Sequence, residues 1–416
     1  MTNACGVDFG TSNSTVGWNP SGRPALLALE DGNPTLPSAV FFNAEEDSVS
    51  FGRAALADYL AGHEGRLMRA LKSLLGTSLI DGQTEVMGRA VPFRLLLSQF
   101  IAELKRRSET AAGRAFDCAV FGRPVHFVDD DAAADRLAES TLREIALAAG
   151  YREVAFQYEP IAAAFDYESR IDREELVLIA DIGGGTSDFS LIRLGPGRAA
   201  RPDRRDDIIA NGGIHIGGTD FDKYLSLSCV MPLLGLGTRL KSDSEVPSSH
   251  FFNLATWHTI NLAYTQRTER ELQDIHRDAI ERDKLGRLLQ VVRHREGHWL
   301  ALRVEEGKIA LSDTDRAGLV LHRLSPPLSV EVDRGRFDNA IARLTEAVER
   351  TVRELLRNAG VGSNAVGTVF FTGGSSGVPF LRQRIAAAVP QARQVEGDRF
   401  GSIGIGLALD AGRKFG

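Results

Sequence analysis

The sequence LVLIADIGGGTSDFSLIRL, residues Leu176–Leu194, is the most informative segment of this 416-residue chain. Leu176–Ile179 is a nearly continuous apolar run, which predicts a strand buried on both faces. The run continues through Asp181 into three consecutive glycines, and Phe189–Leu194 predicts the strand that returns beside the first. Because glycines have no Cβ, a ligand can approach this backbone closely, and the exposed N–H groups of such a turn can bind phosphate oxygens.

A second copy of this pattern lies near the N-terminus. Gly6–Gly17, GVDFGTSNSTVG, also leads from an apolar strand through an aspartate, Asp8, into a turn of Gly, Thr and Ser residues and back into a strand. Two copies at about half-chain spacing predict two related lobes that each supply one loop to a shared cleft. A single turn of this kind is more often an ordinary hairpin, but the pair favours phosphate binding.

The acidic residues of the two turns suggest a metal ion. A carboxylate cannot contact phosphate directly, because like charges repel, but it can hold Mg²⁺ through water molecules that the ion retains. Asp8, Asp181 and Asp188 are therefore the candidate Mg²⁺ residues, acting through water.

Composition limits the class of protein. Hydrophobic residues make up 43% and charged residues 25% of the chain, which is typical of a soluble globular protein of two or three domain-sized units. The net charge of −6 argues against bulk binding to nucleic acid or to an anionic membrane. Three widely separated cysteines and the lack of a visible signal peptide or long apolar run favour a reducing, cytoplasmic location. We expect a monomer.

Strands and helices alternate along the chain, which predicts an α/β fold. The arginine-rich segment Gly195–Asp207 is interpreted as a solvated hairpin connection rather than a site for an anionic partner. Helices are predicted at Asp58–Leu75, Leu95–Thr110, Asp131–Ala149, Phe337–Asn358, Phe380–Ala388 and within the charged segment Tyr264–Arg293, and further strands at Ala39–Phe42, Ala119–Phe121 and Val369–Phe371.

With these motifs in this order, the sequence resembles the nucleotide-binding domain of the DnaK-type 70-kDa heat-shock chaperones, within the actin and sugar-kinase ATPase superfamily. The resemblance covers almost the whole chain. It rests on a first phosphate loop (Gly6–Ser14), Thr35–Ser38, a lysine-bearing helix (Leu71–Gly76), a connecting motif (Tyr158–Ala164), a second phosphate loop (Asp181–Asp188), Gly217–Asp222, an adenosine-contacting helix with Glu305, Lys308 and Ser312, and an adenosine loop (Gly373–Ser375).

The resemblance implies a two-lobed, actin-like α/β ATPase fold with duplicated ribonuclease-H-like lobes. Lobe I is expected over residues 1–176, with a peripheral subdomain at about 38–115. Lobe II is expected over residues 177–394, with a peripheral subdomain at about 218–310. Residues 395–416 are expected to form a C-terminal helix that packs back towards lobe I.

The resemblance also implies ATP or ADP with Mg²⁺ as cofactor, and it assigns roles to residues. Lys72, Glu159, Asp181 and Thr186 form the implied catalytic group, with Lys72 beside the terminal phosphate. Taken alone, Lys72 would be a solvated surface lysine, and Glu305 and Lys308 could form an i,i+3 ion pair. The implied nucleotide contacts are Gly10, Thr11, Ser12, Asn13, Gly183, Gly184, Gly185, Thr186, Gly217, Gly218, Glu305, Lys308, Ser312, Gly373, Gly374 and Ser375.

The sequence departs from this family at the base of the nucleotide. The family holds adenine between two arginines, and Ile309 and Gly377 occupy those positions here. Loss of two cation–π contacts predicts micromolar nucleotide binding and poor discrimination between ATP and GTP. The alternative is that Glu305 or Arg382 supplies the missing contact from another position.

The family's substrate-binding domain and its linker have no counterpart in the sequence, so we expect a chain most similar to the short, stand-alone YegD-type members. The expected function is Mg²⁺-dependent ATP binding and hydrolysis by a chaperone-like protein that acts on an unfolded client or a separate co-chaperone. Three alternatives stay open: a nucleotide-dependent switch without hydrolysis, an actin-like assembly protein and a small-molecule kinase.

Overall fold

Two mixed sheets form the frame of the protein in a computed structural model, which describes residues 3–86, 89–128, 131–199, 201, 203–399 and 401–416. The strands are β1 (Ala4–Asp8), β2 (Asn13–Trp18), β3 (Ala25–Leu26), β4 (Thr35–Pro37), β5 (Ala39–Asn43), β6 (Ser48–Phe51), β7 (Gly65–Arg69), β8 (Gln83–Val86), β9 (Arg89–Pro92), β10 (Cys118–Arg123), β11 (Glu153–Tyr158), β12 (Glu175–Ile182), β13 (Ser187–Leu194), β14 (Ile208–Ile214), β15 (Arg316–Leu321), β16 (Leu328–Asp333), β17 (Thr368–Thr372) and β18 (Arg393–Glu396). The α-helices are α1 (Arg53–Ala61), α2 (Phe93–Ala112), α3 (Ala132–Ala148), α4 (Glu159–Glu168), α5 (Pro196–Ala199), α6 (Gly218–Cys229), α7 (Ser249–Ala255), α8 (Gln266–Asp278), α9 (Arg282–Arg293), α10 (Gly297–Asp313), α11 (Arg334–Asn358), α12 (Pro379–Ala388) and α13 (Ser402–Phe415).

The two sheets repeat one topology. The first has the order β11-β10-β1-β2-β3, with β4 also paired to β2, and the second has the order β18-β17-β12-β13-β14. In each, a hairpin (β1–β2 or β12–β13) lies next to a later strand that runs parallel to its first strand. The duplicated two-lobed α/β architecture expected from the sequence is therefore confirmed.

Smaller elements extend from each sheet. In the first lobe, the three-stranded sheet β6-β5-β7 and the hairpin β8–β9 come between β4 and α2. In the second lobe, α6 to α10 and the hairpin β15–β16 come between β14 and α11. Among the described residues, no helix is both long and apolar enough to cross a membrane.

Helix α13 joins the two lobes. Its Leu407 is fully buried in a cluster that contains Val120 of the first sheet and Ile179 of the second. The close approach of α13 to β1 and α4 depends on glycines, because a Cβ on Gly6 would meet Ala408 and one on Gly406 would meet the carbonyl of Ala162.

The helix predicted over Asp58–Leu75 is wrong. Helix α1 ends at Ala61, where Gly62 adopts a left-handed conformation (φ 88°), and the next residues form β7, which pairs antiparallel with β5. Leu71–Leu74 is only a short 3-10 turn. Pairing with a distant strand outweighed the local helical spacing, a signal that periodicity does not contain.

The segment Gly195–Asp207, of which residues 200 and 202 lie outside the described residues, is not simply a solvated connection. Arg204 is 1% exposed and binds Glu168 and Asp207, which are equally buried. A buried charge needs such partners to offset the loss of hydration. The segment is therefore anchored to α4 by ion pairs.

Candidate functional site

Ionisable side chains from both lobes meet where β1 and β12 end. Asp181 lies opposite Asp188 in the β12–β13 hairpin. The Lys72 ammonium lies 2.5 Å from Glu159 Oε1, and the two side chains are 11% and 13% exposed. Lys72 is therefore not a solvated surface lysine. It interacts electrostatically with Asp8 of lobe I and Asp181 of lobe II as well as with Glu159.

The carboxylates of this cluster have strongly shifted pKa values. Burial raises the pKa of Asp8 to about 7, and the charge of Glu159 adds to the effect while Lys72 opposes it. Burial raises the pKa of Asp181 to about 8, with further contributions from Asp188, Glu159 and Asp8. Three carboxylates, those of Glu159, Asp8 and Asp181, interact with the ammonium group of Lys72, and a divalent cation would favour their charged forms further.

The charge on Lys72 is preserved despite its burial. Burial alone would lower the pKa of its ammonium group, but the charges of Glu159, Asp8 and Asp181 raise the pKa above its ordinary value. Lys72 is therefore a fixed cation. It lies on the 3-10 turn that follows β7 rather than on the helix that the sequence predicted.

The second phosphate loop is held rigidly by the chain that enters α6. The N–H group of Gly183 donates to the Thr186 carbonyl at 2.9 Å and closes the turn. The N–H groups of Gly218 and Thr219 donate to the carbonyls of Gly183 and Gly184 at 3.0 and 2.7 Å. The carbonyl groups of Gly183, Gly184 and Thr186 therefore all accept hydrogen bonds from the backbone.

The first phosphate loop approaches the second across the cleft. The Ser38 hydroxyl donates to the Gly10 carbonyl at 2.6 Å, and the Ser38 N–H group donates to the Ser12 carbonyl at 2.9 Å. The Ser12 hydroxyl would collide with any Cβ placed on Gly184. The two loops predicted from separate halves of the sequence therefore face each other, with Asn13 at the start of β2 beside them.

A second group of predicted residues meets around Lys308 on α10. Its ammonium donates to Asp222 Oδ2 at 2.8 Å and to the Gly218 carbonyl at 3.2 Å. Lys308 therefore pairs with Asp222 rather than with Glu305, the partner that an i,i+3 ion pair along the helix would require. Burial raises the pKa of Asp222 to about 6, and Lys308 opposes the shift. Ser375 is buried against Gly218.

The remaining predicted residues flank this group. Gly373 has φ 83°, and a Cβ there would lie 2.5 Å from the Ile182 carbonyl oxygen, so glycine lets the adenosine loop lie against the end of β12. Gly374 is exposed at the tip of that loop. Burial lowers the pKa of the Arg69 guanidinium, and the charge of Glu305 opposes that shift. Glu305 therefore faces Arg69 of lobe I. Ser312 lies one turn beyond Lys308 and is half-buried.

At the base end, Arg382, one of the two proposed substitutes for the missing arginines, already has partners. The Arg382 guanidinium binds Glu396 Oε2 at 2.8 Å and lies 4.8 Å from the centre of the Phe371 ring. Ile309 is 56% exposed. Gly377 is buried beneath Arg399, a residue that belongs to none of the sequence motifs.

A cavity of about 1330 Å³ opens from Thr11, Ser12, Gly184 and Gly185 towards the outer edge of the cleft. There the lobes touch through an aromatic contact that we call the clasp, formed by Tyr59 and Arg69 of lobe I with Trp257, Asn261 and His298 of lobe II. The Tyr59 hydroxyl lies 3.0 Å from Asn261 Oδ1 and 3.1 Å from His298 Nδ1. The Arg69 guanidinium lies 4.4 Å from the centre of the Trp257 ring.

Comparison with known proteins identifies a single family. Residues 4–99, 94–231 and 293–413 match the family model described as Hsp70 protein. The chain is 26% identical over 430 residues to the chaperone protein HscA of Citrobacter koseri and 27% identical over 431 residues to the HscA homolog of Shewanella amazonensis. Each match covers 98% of this chain and 58% of the relative, so the chain spans less than two thirds of these curated relatives.

Proposed function

Since the chain belongs to the Hsp70 family, whose members are ATPases, we propose that it binds ATP with Mg²⁺ between its lobes and hydrolyses the terminal phosphate. The observation that supports this most strongly is the buried Lys72–Glu159 pair, which interacts electrostatically with an aspartate from each lobe. Such a cluster at the meeting point of two glycine-rich loops suits a ligand that carries both phosphate and a divalent cation.

The chemistry needs positioning and charge compensation more than covalent participation by the protein. The Lys72 ammonium would lie beside the terminal phosphoryl group and compensate its charge as the bond breaks. Glu159 holds that ammonium in place at 2.5 Å. The N–H groups of Gly184 and Gly185 and the hydroxyl of Ser12 are the donors that would contact phosphate oxygens, whereas the Thr186 hydroxyl donates to Asp188 Oδ2 at 2.8 Å.

The Mg²⁺ ion would be held through its own water, because the described residues contain no group of three or more His, Cys, Asp or Glu side chains placed to ligate a metal ion directly. Asp8, Asp181 and Asp188 would accept hydrogen bonds from the water molecules of the ion, and the ion would neutralise phosphate charge. Burial, followed by the charges of neighbouring carboxylates, raises the pKa values of Asp8 and Asp181, and a bound cation would oppose both effects.

Binding can be tested by the thermal stability of the nucleotide-free protein. We expect Mg²⁺ with ATP to raise the melting temperature more than Mg²⁺ alone or ATP with a chelator, because a ligand that binds only the native state stabilises it. No shift with millimolar Mg²⁺ and ATP would contradict the proposal.

We further propose that the nucleotide state acts on another protein. The relatives are named chaperones, and this chain spans 58% of their length, so an unfolded client or a co-chaperone is the partner to test. Phosphate release should be measured with and without a permanently unfolded polypeptide. An unchanged rate, together with no suppression of aggregation, would favour a nucleotide switch without chaperone activity.

A further inference from the structure

We propose that Arg399 provides the cationic surface against which the base of the bound nucleotide lies, an assignment that rests on the proposed function. The residue comes from outside the predicted adenosine loop. Three independent features support this assignment. They are the contact of Arg399 with Gly377, the position of Arg399 at the edge of the second sheet, and the ion pair that Arg399 forms.

A side chain at position 377 would have to displace the guanidinium group of Arg399. A Cβ built on Gly377 would lie 2.6 Å from Arg399 Nη1, 2.7 Å from its Cζ and 3.2 Å from its Nε. Two of these distances are shorter than a real Cβ contact allows. The guanidinium group therefore occupies the space into which a side chain at position 377 would extend, and glycine at 377 makes room for it.

The sheet topology brings Arg399 to the same edge as the phosphate loop. Strands β12, β17 and β18 run parallel, so their carboxyl ends meet at one edge. The segments that follow them are the second phosphate loop, the adenosine loop and residues 397–399 in turn. The Gly397 N–H group donates to the Phe371 carbonyl at 3.0 Å and fixes the last of these against β17. Ligands of open α/β sheets bind at the carboxyl ends of the strands.

The position of Arg399 is fixed by one ion pair. Its Nε donates to Glu396 Oε1 at 2.9 Å, and the side chain is 31% exposed. A planar guanidinium that packs on backbone on one side can stack with an aromatic base on the other. Ile309, exposed on α10, offers an apolar surface without charge.

Arg382 provides a matched control. It binds the other oxygen of Glu396 at 2.8 Å and is 23% exposed, so its loss disturbs the same carboxylate as the loss of Arg399. Its guanidinium, however, already lies over the Phe371 ring. Arg382 is therefore expected to contribute to the local structure without contacting the base.

The experiment compares ligands with and without a base by calorimetry on the full chain. The proteins are wild type, Arg399→Ala, Arg399→Lys and Arg382→Ala, and the ligands are Mg²⁺ complexes of ATP, GTP and inorganic tripolyphosphate. We expect Arg399→Ala to weaken ATP and GTP binding by about 2- to 30-fold, the range of one cation–π contact. Tripolyphosphate binding should change less than about twofold, Arg399→Lys should recover only part of the loss and Arg382→Ala should resemble wild type.

Two results would overturn the inference while leaving the proposed function intact. One is nucleotide binding by Arg399→Ala that equals that of the wild type. The other is an equal loss for nucleotides and tripolyphosphate, which would show a general charge effect. If the wild type bound neither ligand class, the proposed function itself would fail. Gly377→Ala is a second route, because its Cβ must displace the guanidinium, and it should lower nucleotide affinity in the same direction as Arg399→Ala.

Discussion

The phosphate end and the base end of the cleft are built in different ways. At the phosphate end, charges from both lobes converge, and Lys72 pairs with Glu159 and interacts electrostatically with Asp8 and Asp181. At the base end, Ile309 and Gly377 lie where the resemblance to the family places two arginines, and the Arg399 guanidinium reaches Gly377 from another segment of the chain.

The difference follows from what each end must do. A phosphate and its cation need charges at fixed points, because electrostatic compensation depends steeply on distance in a buried site. A base needs a flat surface, which different side chains can supply from different positions. We infer that the phosphate end constrains residue identity, whereas the base end constrains only shape and the presence of a stacking surface.

The largest effect is expected at the phosphate end. Lys72→Ala should lower the rate of phosphate release by about 10²- to 10³-fold, because the transferring phosphoryl group loses its fixed cation. Nucleotide binding should survive. The measurement is single-turnover phosphate release together with calorimetric titration.

Lys105→Ala is the matched control for Lys72→Ala. Lys105 is also largely buried and pairs with Glu109 on α2, far along the chain from both loops. It should leave turnover per folded molecule unchanged. Equal loss in both variants would mean that a buried lysine matters only for stability.

Asp181→Asn should separate metal binding from stability. In the metal-free protein, Asp8 and Asp181 hold protons at pH values where the unfolded chain has lost them, so these groups reduce stability as pH rises from about 4 to about 8. Removing one charge should therefore raise the melting temperature at pH 8 by roughly a few degrees. Stabilisation by Mg²⁺ with ATP should largely disappear.

Melting temperatures of the wild type and of Asp181→Asn, measured from pH 5 to pH 8, check the direction of this stability difference. The advantage of Asp181→Asn over wild type should shrink at the acidic end of the range, where Asp181 itself carries a proton. A destabilised variant at pH 8 would show that the carboxylate has a structural partner that outweighs the repulsion.

Exchanges at the base end should have intermediate effects. Ile309→Arg should tighten ATP binding by about 2- to 30-fold by adding one stacking plane. Gly377→Arg should not, because Arg399 already occupies that space. The double variant Gly377→Arg with Arg399→Gly transfers the guanidinium from position 399 to position 377. It should bind ATP more tightly than Gly377→Arg alone. Calorimetry with ATP and GTP distinguishes these outcomes.

The smallest effect is expected at the clasp. Burial lowers the pKa of His298 to about 4, so its imidazole is neutral at pH 7. The Tyr59 hydroxyl donates its proton to Asn261 Oδ1, so the hydrogen bond with His298 requires the tautomer in which Nδ1–H donates to the Tyr59 oxygen. Tyr59→Phe removes that bond and should speed nucleotide dissociation by about 2- to 10-fold. ATP and GTP should be affected equally, since the clasp lies at the mouth of the cleft. An effect confined to one nucleotide would place the clasp in contact with the base.

Much of the phosphate end could be predicted from the sequence, because strand–turn–strand patterns are local. The same pattern identified Asp8 and Asp181, and a motif match identified Lys72, whose burial no pattern showed. The helix over Asp58–Leu75 was wrong because β7 exists only through pairing with β5. Periodicity contains no record of such distant partners.

Arg399 and the clasp were missed for the same physical reason. Tyr59 and His298 are 239 residues apart, and Arg399 follows β18, a strand that the sequence analysis did not identify. The sequence indicated a missing side chain and not its replacement, because Gly377 lies where the resemblance to the family places an arginine. A glycine at such a position shows that space is needed but not which residue fills it.

We propose that the phosphate end of the cleft carries the chemistry and that the base end contributes affinity. Steady-state phosphate release by the wild-type protein, measured with ATP and with GTP over a range of concentrations, tests it most directly. We expect Mg²⁺-dependent release from both nucleotides, with kcat values that agree within about twofold and any preference confined to KM. Absence of release, or a kcat that changes strongly with the base, would contradict it.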